Sequence, residues 1–191
     1  MIVVPGTEAD APGAAALHAA EISEGFLPTL GPVFLRRLYR RIVRSEGSFL
    51  LVSSDELGLV GMASATEDVG GLYRAFLVKD GPAAAVAAAP RLLRSWRKVI
   101  ETLHYPAAER ALPSAELLSV AVAPRGRGQG LGAELVAGVN EELRRRGVDD
   151  AKVVAAADNK AALRLYEAAG YRRTATIEVH GGAPSEVLTW H

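Results

Sequence analysis

The chain contains no cysteine, which excludes disulfides, thiolate metal sites and a cysteine nucleophile together. It also lacks net charge, because 22 basic side chains are matched by 22 acidic ones. No overall field therefore draws it to nucleic acid or to an anionic membrane. No apolar run approaches the ~18 residues of a membrane span. The first residues do not show a charged segment followed by a long apolar core, so the expectation is a cytoplasmic protein. Histidine is scarce, and His18, His104, His180 and His191 lack metal-ligand spacing, so no metal site is expected. Internal repeats and low-complexity tails are missing too. What is present is 191 residues with 49% apolar side chains, the size of one domain, 1–191, with a sizeable core.

Hydrophobic patterning divides that domain into short segments. Ile2 to Val4 reads as a first strand ended by Pro5-Gly6. Thr7 or Asp10 is placed to cap a helix over Ala14 to Ser23. A second helix, Val33 to Val43, places Phe34, Leu35, Leu38 and Ile42 on one side and a set of arginines on the other. Those arginines read as a solvated face before they read as a phosphate surface. Ser48 to Ser53 and Leu57 to Ala65 form a hairpin around Ser54-Asp55-Glu56. From Gly70 to Pro113 the pattern is least regular, with two helices expected between Ala83 and His104. Glu116 to Val122 is a strand, and Ala133 to Arg146 a helix with Leu135, Val136, Val139 and Leu143 as its buried stripe. Lys152 to Ala157 is a strand, and Asp158 or Asn159 caps a helix that Gly170 ends. Thr174 to Val179 and Glu186 to Trp190 close the chain as a hairpin. This order predicts an α/β domain with a mixed sheet and helices on both faces, carrying a helical insertion at about 70–113.

The most informative stretch is Pro124-Arg125-Gly126-Arg127-Gly128-Gln129-Gly130-Leu131-Gly132, between a strand and a helix start. Glycines let backbone approach a ligand closely, and a helix N-terminus offers unpaired N–H groups with partial positive charge. Such a loop suits a pyrophosphate. The Walker A pattern fails because no Lys-Ser or Lys-Thr follows the glycines. The dinucleotide fingerprint matches formally through Gly128, Gly130 and Ala133, with Asp149 and Asp150 downstream. That fingerprint normally follows the first strand of a domain, whereas this loop lies in the last half of the chain.

A third pattern, R-x-x-G-x-G, fits Arg127-Gly128-Gln129-Gly130-Leu131-Gly132. With Val122-Ala123-Pro124 before it, the segment resembles the acetyl-coenzyme A loop of the GCN5-related N-acetyltransferases (GNAT). Asn159 to Tyr171, an Asn, a helix carrying Leu165-Tyr166, then Gly170-Tyr171, resembles that family's other signature at the usual spacing. Together the two segments span about 114 to 173. The resemblance implies a mostly antiparallel, seven-stranded sheet splayed open between strands 116–122 and 152–157. It also implies acetyl transfer from acetyl-coenzyme A, as co-substrate, to a primary amine of a small molecule or peptide. Transfer would be direct, in a ternary complex.

The same resemblance implies the roles of single residues. Backbone N–H groups of Gly128, Gln129, Gly130, Leu131 and Gly132 would hold the pyrophosphate. Arg127 either adds a charged contact or points to solvent. Backbone at Val120 and Val122 would meet the acyl arm, with a N–H near Val120 as oxyanion donor. Tyr166 stands at the family's general-acid position, although its helical spacing with Ala162, Leu165 and Ala169 equally suits a core tyrosine. Glu116 is the proposed base; alternation puts it on one face with Leu118, Val120 and Val122, and a strand-end glutamate facing water is the other reading. Asn159 contacts the cofactor, caps the helix, or does both. The segment 70–113 is expected to wall the acceptor site, with subunit contact, and hence a homodimer, as its rival. O-acyl transfer on the same fold, a non-catalytic acetyl-coenzyme A sensor and a nicotinamide oxidoreductase are the alternatives. The acceptor itself is not specified.

Overall fold

The computed structural model describes residues 1–22, 30–80, 112–178 and 184–191. The expected helices between Ala83 and His104, the loop residues Phe26-Leu27 and the tip at Gly181-Gly182 lie outside them. The strands are β1 (Val4–Pro5), β2 (Ser48–Asp55), β3 (Gly58–Thr66), β4 (Glu116–Val122), β5 (Ala151–Ala156), β6 (Arg172–Glu178) and β7 (Pro184–Trp190). They form one seven-stranded sheet in the order β1-β2-β3-β4-β5-β7-β6, antiparallel at every junction except β4/β5. The helices are α1 (Ala11–Glu21), α2 (Pro32–Arg44), α3 (Val69–Lys79), α4 (Leu131–Arg145) and α5 (Lys160–Ala168).

Two cores sandwich the sheet. Side chains of α1, α2 and α3, among them Leu35, Leu38, Ile42 and Phe76, pack with Leu50, Val52 and Met62 on one face. On the other, Leu135, Val136, Val139 and Leu143 of α4 and Leu163 and Tyr166 of α5 pack with Leu51, Leu117, Val153 and Leu188. Because both faces are covered, successive residues are buried from Ser48 to Ser53 in β2 and from Val60 to Thr66 in β3, which is why those segments read as apolar runs rather than as alternations. The stripe expected for α4 is completely enclosed, each of its four residues being 0% exposed.

Local chemistry sets the helix boundaries. Asp10 precedes α1, and a short 3-10 turn before it is closed by a reciprocal Thr7–Asp10 capping box. Gly31 and Pro32 start α2. The first strand is shorter and later than the sequence pattern suggested, and Ile2 is 78% exposed. Helix α3 was not expected. Its first turn holds Gly70-Gly71, and it buries only Leu72 and Phe76, too sparse a stripe to stand out from its surroundings.

Candidate active site

The one parallel junction is short. β4 and β5 pair only through Glu116↔Lys152 and Leu117↔Val153, then separate. On its other edge β4 stays paired with β3 as far as Val122↔Gly61, and the Ala123 N–H donates to the Val60 carbonyl at 2.7 Å. In an antiparallel ladder, residues alternate between bonding to one neighbour and pointing at the other. Ala123 and Ala121 therefore face β3, while the N–H and C=O groups of Val120 and Val122 face the gap where β5 has left. Among the described residues, the gap edge of Val122 is met by Arg127, whose Nε donates to the Val122 carbonyl at 3.3 Å.

The glycine loop closes the mouth of this gap. Pro124–Gly126 is a 3-10 turn, and Arg125 ties it to the β2–β3 hairpin through Asp55 at 2.8 Å and the Gly58 and Leu59 carbonyls. Gly128 and Gly130 take φ of 74° and 82°, left-handed values that side chains rarely adopt, and a Cβ at either would point into open space. Gly130 caps α4 without a side-chain bond. The first intrahelical bond is Glu134 N–H to the Gly130 carbonyl, so the N–H groups of Leu131, Gly132 and Ala133 have no intrahelical acceptor. Leu131 offers only this backbone group, because its side chain is 1% exposed in the core. The Gln129 amide donates to the Arg125 carbonyl within the loop. Arg127, read as either a ligand contact or a solvent-facing side chain, is paired with Glu21 of α1 while keeping over half its side-chain surface exposed.

Tyr166 lies in the core cluster beneath α4 and α5, against which Val120, Val122 and Leu165 also pack. Its ring is tilted against Tyr171 at 6.0 Å between centroids. Burial pushes its phenol up to about 12, so it stays protonated at neutral pH. Asn159 caps α5, its side-chain oxygen accepting from the Ala162 N–H at 3.1 Å.

Glu116 departs from the expected geometry in two ways. Ser119 pairs with Ser64, but the next pair is Leu117 with Ala65, so Leu118 is an extra residue in β4. This bulge reverses the alternation below it. Leu117 joins Val120 and Val122 on the α4/α5 face, and Glu116 turns to the face of Ser119 and Ala121, covered by α1 and α2. Nor does Glu116 face water. It is 9% exposed, with the Lys152 ammonium 3.5 Å from its carboxylate, and Lys152 also donates to the Pro113 carbonyl at 2.6 Å. Glu116 and Tyr166 thus stand on opposite faces of the sheet, at the root and the flank of the gap.

This geometry has a counterpart among known proteins. The model of the acetyltransferase (GNAT) family matches residues 19–171, most of the chain. The chain belongs to the GNAT acetyltransferase family. It is accordingly an acyltransferase, and the sheet order and open β4/β5 junction are the fold expected from its two motifs. Among solved structures it is similar to ribosomal-protein-alanine N-acetyltransferase from Brucella melitensis, with 20% identity, a TM-score of 0.64, and 99% of this chain and 98% of that one covered. A variant of spermidine N-acetyltransferase from Vibrio cholerae shares 12% identity at a TM-score of 0.59, with coverage of 100% and 94%. The NatC complex bound to Gag peptide and CoA shares 17% at 0.60, with coverage of 100% and 98%. These likenesses carry the fold. Among curated protein sequences none matches the chain.

The family motifs do not reach a second polar group under β4. His18 Nδ1 lies 2.7 Å from the Tyr39 hydroxyl, which lies 2.9 Å from the Ser119 hydroxyl, itself 2.7 Å from that of Ser64. The only sequence signal was a tyrosine inside the stripe of α2, where a polar atom needs a buried partner. Burial lowers His18 to about 4 from an ordinary 6.5, and its Nε2 has no hydrogen-bond partner among the described residues. Neutral His18 therefore contributes stability that is complete above pH 6.5. Below that the unfolded chain binds a proton that the folded one refuses until about pH 4, so stability falls across this window. We expect the stability difference between wild type and His18→Leu to shift against wild type by roughly 3 kcal/mol from pH 7 to pH 4. Urea unfolding at the two pH values measures it, and a pH-independent difference would place the imidazole in water.

Proposed function

We propose that the protein transfers an acetyl group from acetyl-coenzyme A directly to a primary amine, with the β4/β5 gap as the reaction site. The observation that carries this reading is the open edge of β4, where Val120 and Val122 have no ladder partner on β5, beside a glycine loop and a bare helix N-terminus. Such a line of donors suits an elongated substrate ending in a pyrophosphate. The N–H groups of Gly128 to Gly132 bind the anion, aided by the partial positive charge of α4. Arg127 adds charge when it leaves Glu21 for the phosphates. The Val120 N–H stabilises the oxyanion formed when the amine nitrogen attacks the thioester carbon.

Glu116 and Tyr166 divide the protons between the two faces. The amine must lose one proton, and the departing thiolate must gain one. Glu116, whose carboxylate lies 3.5 Å from the Lys152 amine, takes the first through ordered water. Tyr166, a protonated phenol on the other face, supplies the second. No protein nucleophile is required, in keeping with a cysteine-free chain. The acceptor is a small-molecule or peptide amine, as the named activities of the similar structures include both a ribosomal-protein alanine and spermidine.

The test combines calorimetry with acetyl-coenzyme A and a free-thiol assay across amines, peptides and alcohols. Micromolar binding with thiol release only on addition of an amine is expected. Thiol release with alcohols alone would favour O-acyl transfer, and binding without turnover on any acceptor would favour a sensor. Absence of binding would overturn the reading.

A further inference from the structure

β4 is held at its bulge by side chains that the proposed chemistry does not use. Ser64 and Ser119 form the last register pair before the extra residue Leu118, and their hydroxyls bond to each other at 2.7 Å. Tyr39 of α2 reaches Ser119 at 2.9 Å, and His18 of α1 fixes Tyr39 at 2.7 Å. The Met62 sulfur accepts from Tyr39 at 3.6 Å. All four polar residues are buried: His18 4%, Tyr39 1%, Ser64 0% and Ser119 8% exposed. Apolar side chains would fill this space without the cost of desolvating four polar groups. What apolar packing lacks is direction. Hydrogen bonds to Ser119 from α2 and β3, the first held in turn by α1, fix the rotation of β4 at the point where its ladder changes register.

That rotation decides where the next residue points. Val120 follows Ser119 directly, and its N–H faces the gap because Ser119 and Ala121 bond toward β3. A small twist of the strand at Ser119 would turn the Val120 N–H out of line. Oxyanion donors act through pre-set orientation, and loosening one loses catalysis without losing the fold.

We propose that Ser119, anchored by Tyr39 and His18, is a positioning residue that aims the Val120 N–H at the acyl carbonyl. This rests on the reading of Val120 given above. Acetyl-coenzyme A labelled with ¹³C at the acetyl carbonyl reports the donor directly, because a hydrogen bond lowers the carbonyl stretching frequency. Wild type should show a lowered band on binding. In Ser119→Ala and Tyr39→Phe more than about half of that displacement should vanish, with affinity held within roughly threefold by the intact glycine loop. Ser119→Thr, which keeps a hydroxyl, should restore it. Unchanged bands in both Ser119→Ala and Tyr39→Phe, with only a lower melting temperature, would reduce the chain to packing and overturn the proposal. Tyr39→Phe keeps its ring, so the test stands even where Ser119→Ala folds poorly. If bound wild type itself shows no lowered band, the Val120 reading fails and takes this inference with it. If bands shift but amines are not acetylated, the transfer reaction alone fails.

Discussion

Replacing Tyr166 by Phe is expected to lower turnover by roughly 10²–10⁴-fold, the range for loss of a positioned proton donor. The substitution is well suited to its site. The ring, 6% exposed, keeps its place against Tyr171, and no hydrogen bond of the Tyr166 hydroxyl is found among the described residues. Removing the oxygen therefore leaves no partner stranded, and the melting temperature should move little. Acetyl-coenzyme A affinity should also be retained, since the glycine loop is untouched. A phenol raised to about 12 stays protonated at neutral pH and so holds its proton ready as the carbon–sulfur bond breaks. Stopped-flow measurement of the chemical step checks the expectation. A loss under about threefold would leave Tyr166 as core packing and pass the proton to water.

The second large effect is on binding. Gly130→Val should weaken acetyl-coenzyme A by roughly tenfold to a hundredfold, as expected when one charge-assisted hydrogen bond of about 1.5–3 kcal/mol is obstructed. A Cβ at Gly130 would meet no protein atom within 4 Å and projects into open space, where the proposed function puts the pyrophosphate. Backbone strain at φ 82° lowers stability as well, and must be separated from obstruction. Gly147, at the far end of α4, provides the control: its φ is 76° and its Cβ would also meet nothing. Gly147→Val should lose comparable stability and bind normally by calorimetry. Equal affinities for wild type and Gly130→Val would remove the loop from the binding site.

Much of the fold was readable before the structure because its signals were local. Leu135, Val136, Val139 and Leu143 repeat at helical spacing and are all enclosed. The loop from Pro124 to Gly130 lies between strand and helix as its residues require, and Leu131-Gly132 opens the helix. Glu116 was read to the wrong side of the sheet because simple alternation cannot see one inserted residue, and Leu118 is that residue. Its partner Lys152 was missed since only the β4/β5 register brings them together. The His18–Tyr39–Ser119–Ser64 line joins residues from α1, α2, β4 and β3, and nothing in one segment announces the others. Local periodicity gave elements; long-range polar pairing had to be seen.

The parting of β4 from β5 also makes a central strand behave chemically as an edge. Along β4, Ser119 and Ala121 bond inward to β3, while Val120 and Val122 do not. Amide hydrogen exchange should therefore alternate residue by residue within a single buried strand. Val120 and Val122 would exchange quickly and their neighbours slowly, a sawtooth that ordinary interior strands lack. An open edge is a template for any extended chain, yet here helices on both faces restrict access to its ends. A backbone-like ligand threaded between the strands would complete the ladder, and the sawtooth should flatten as it binds.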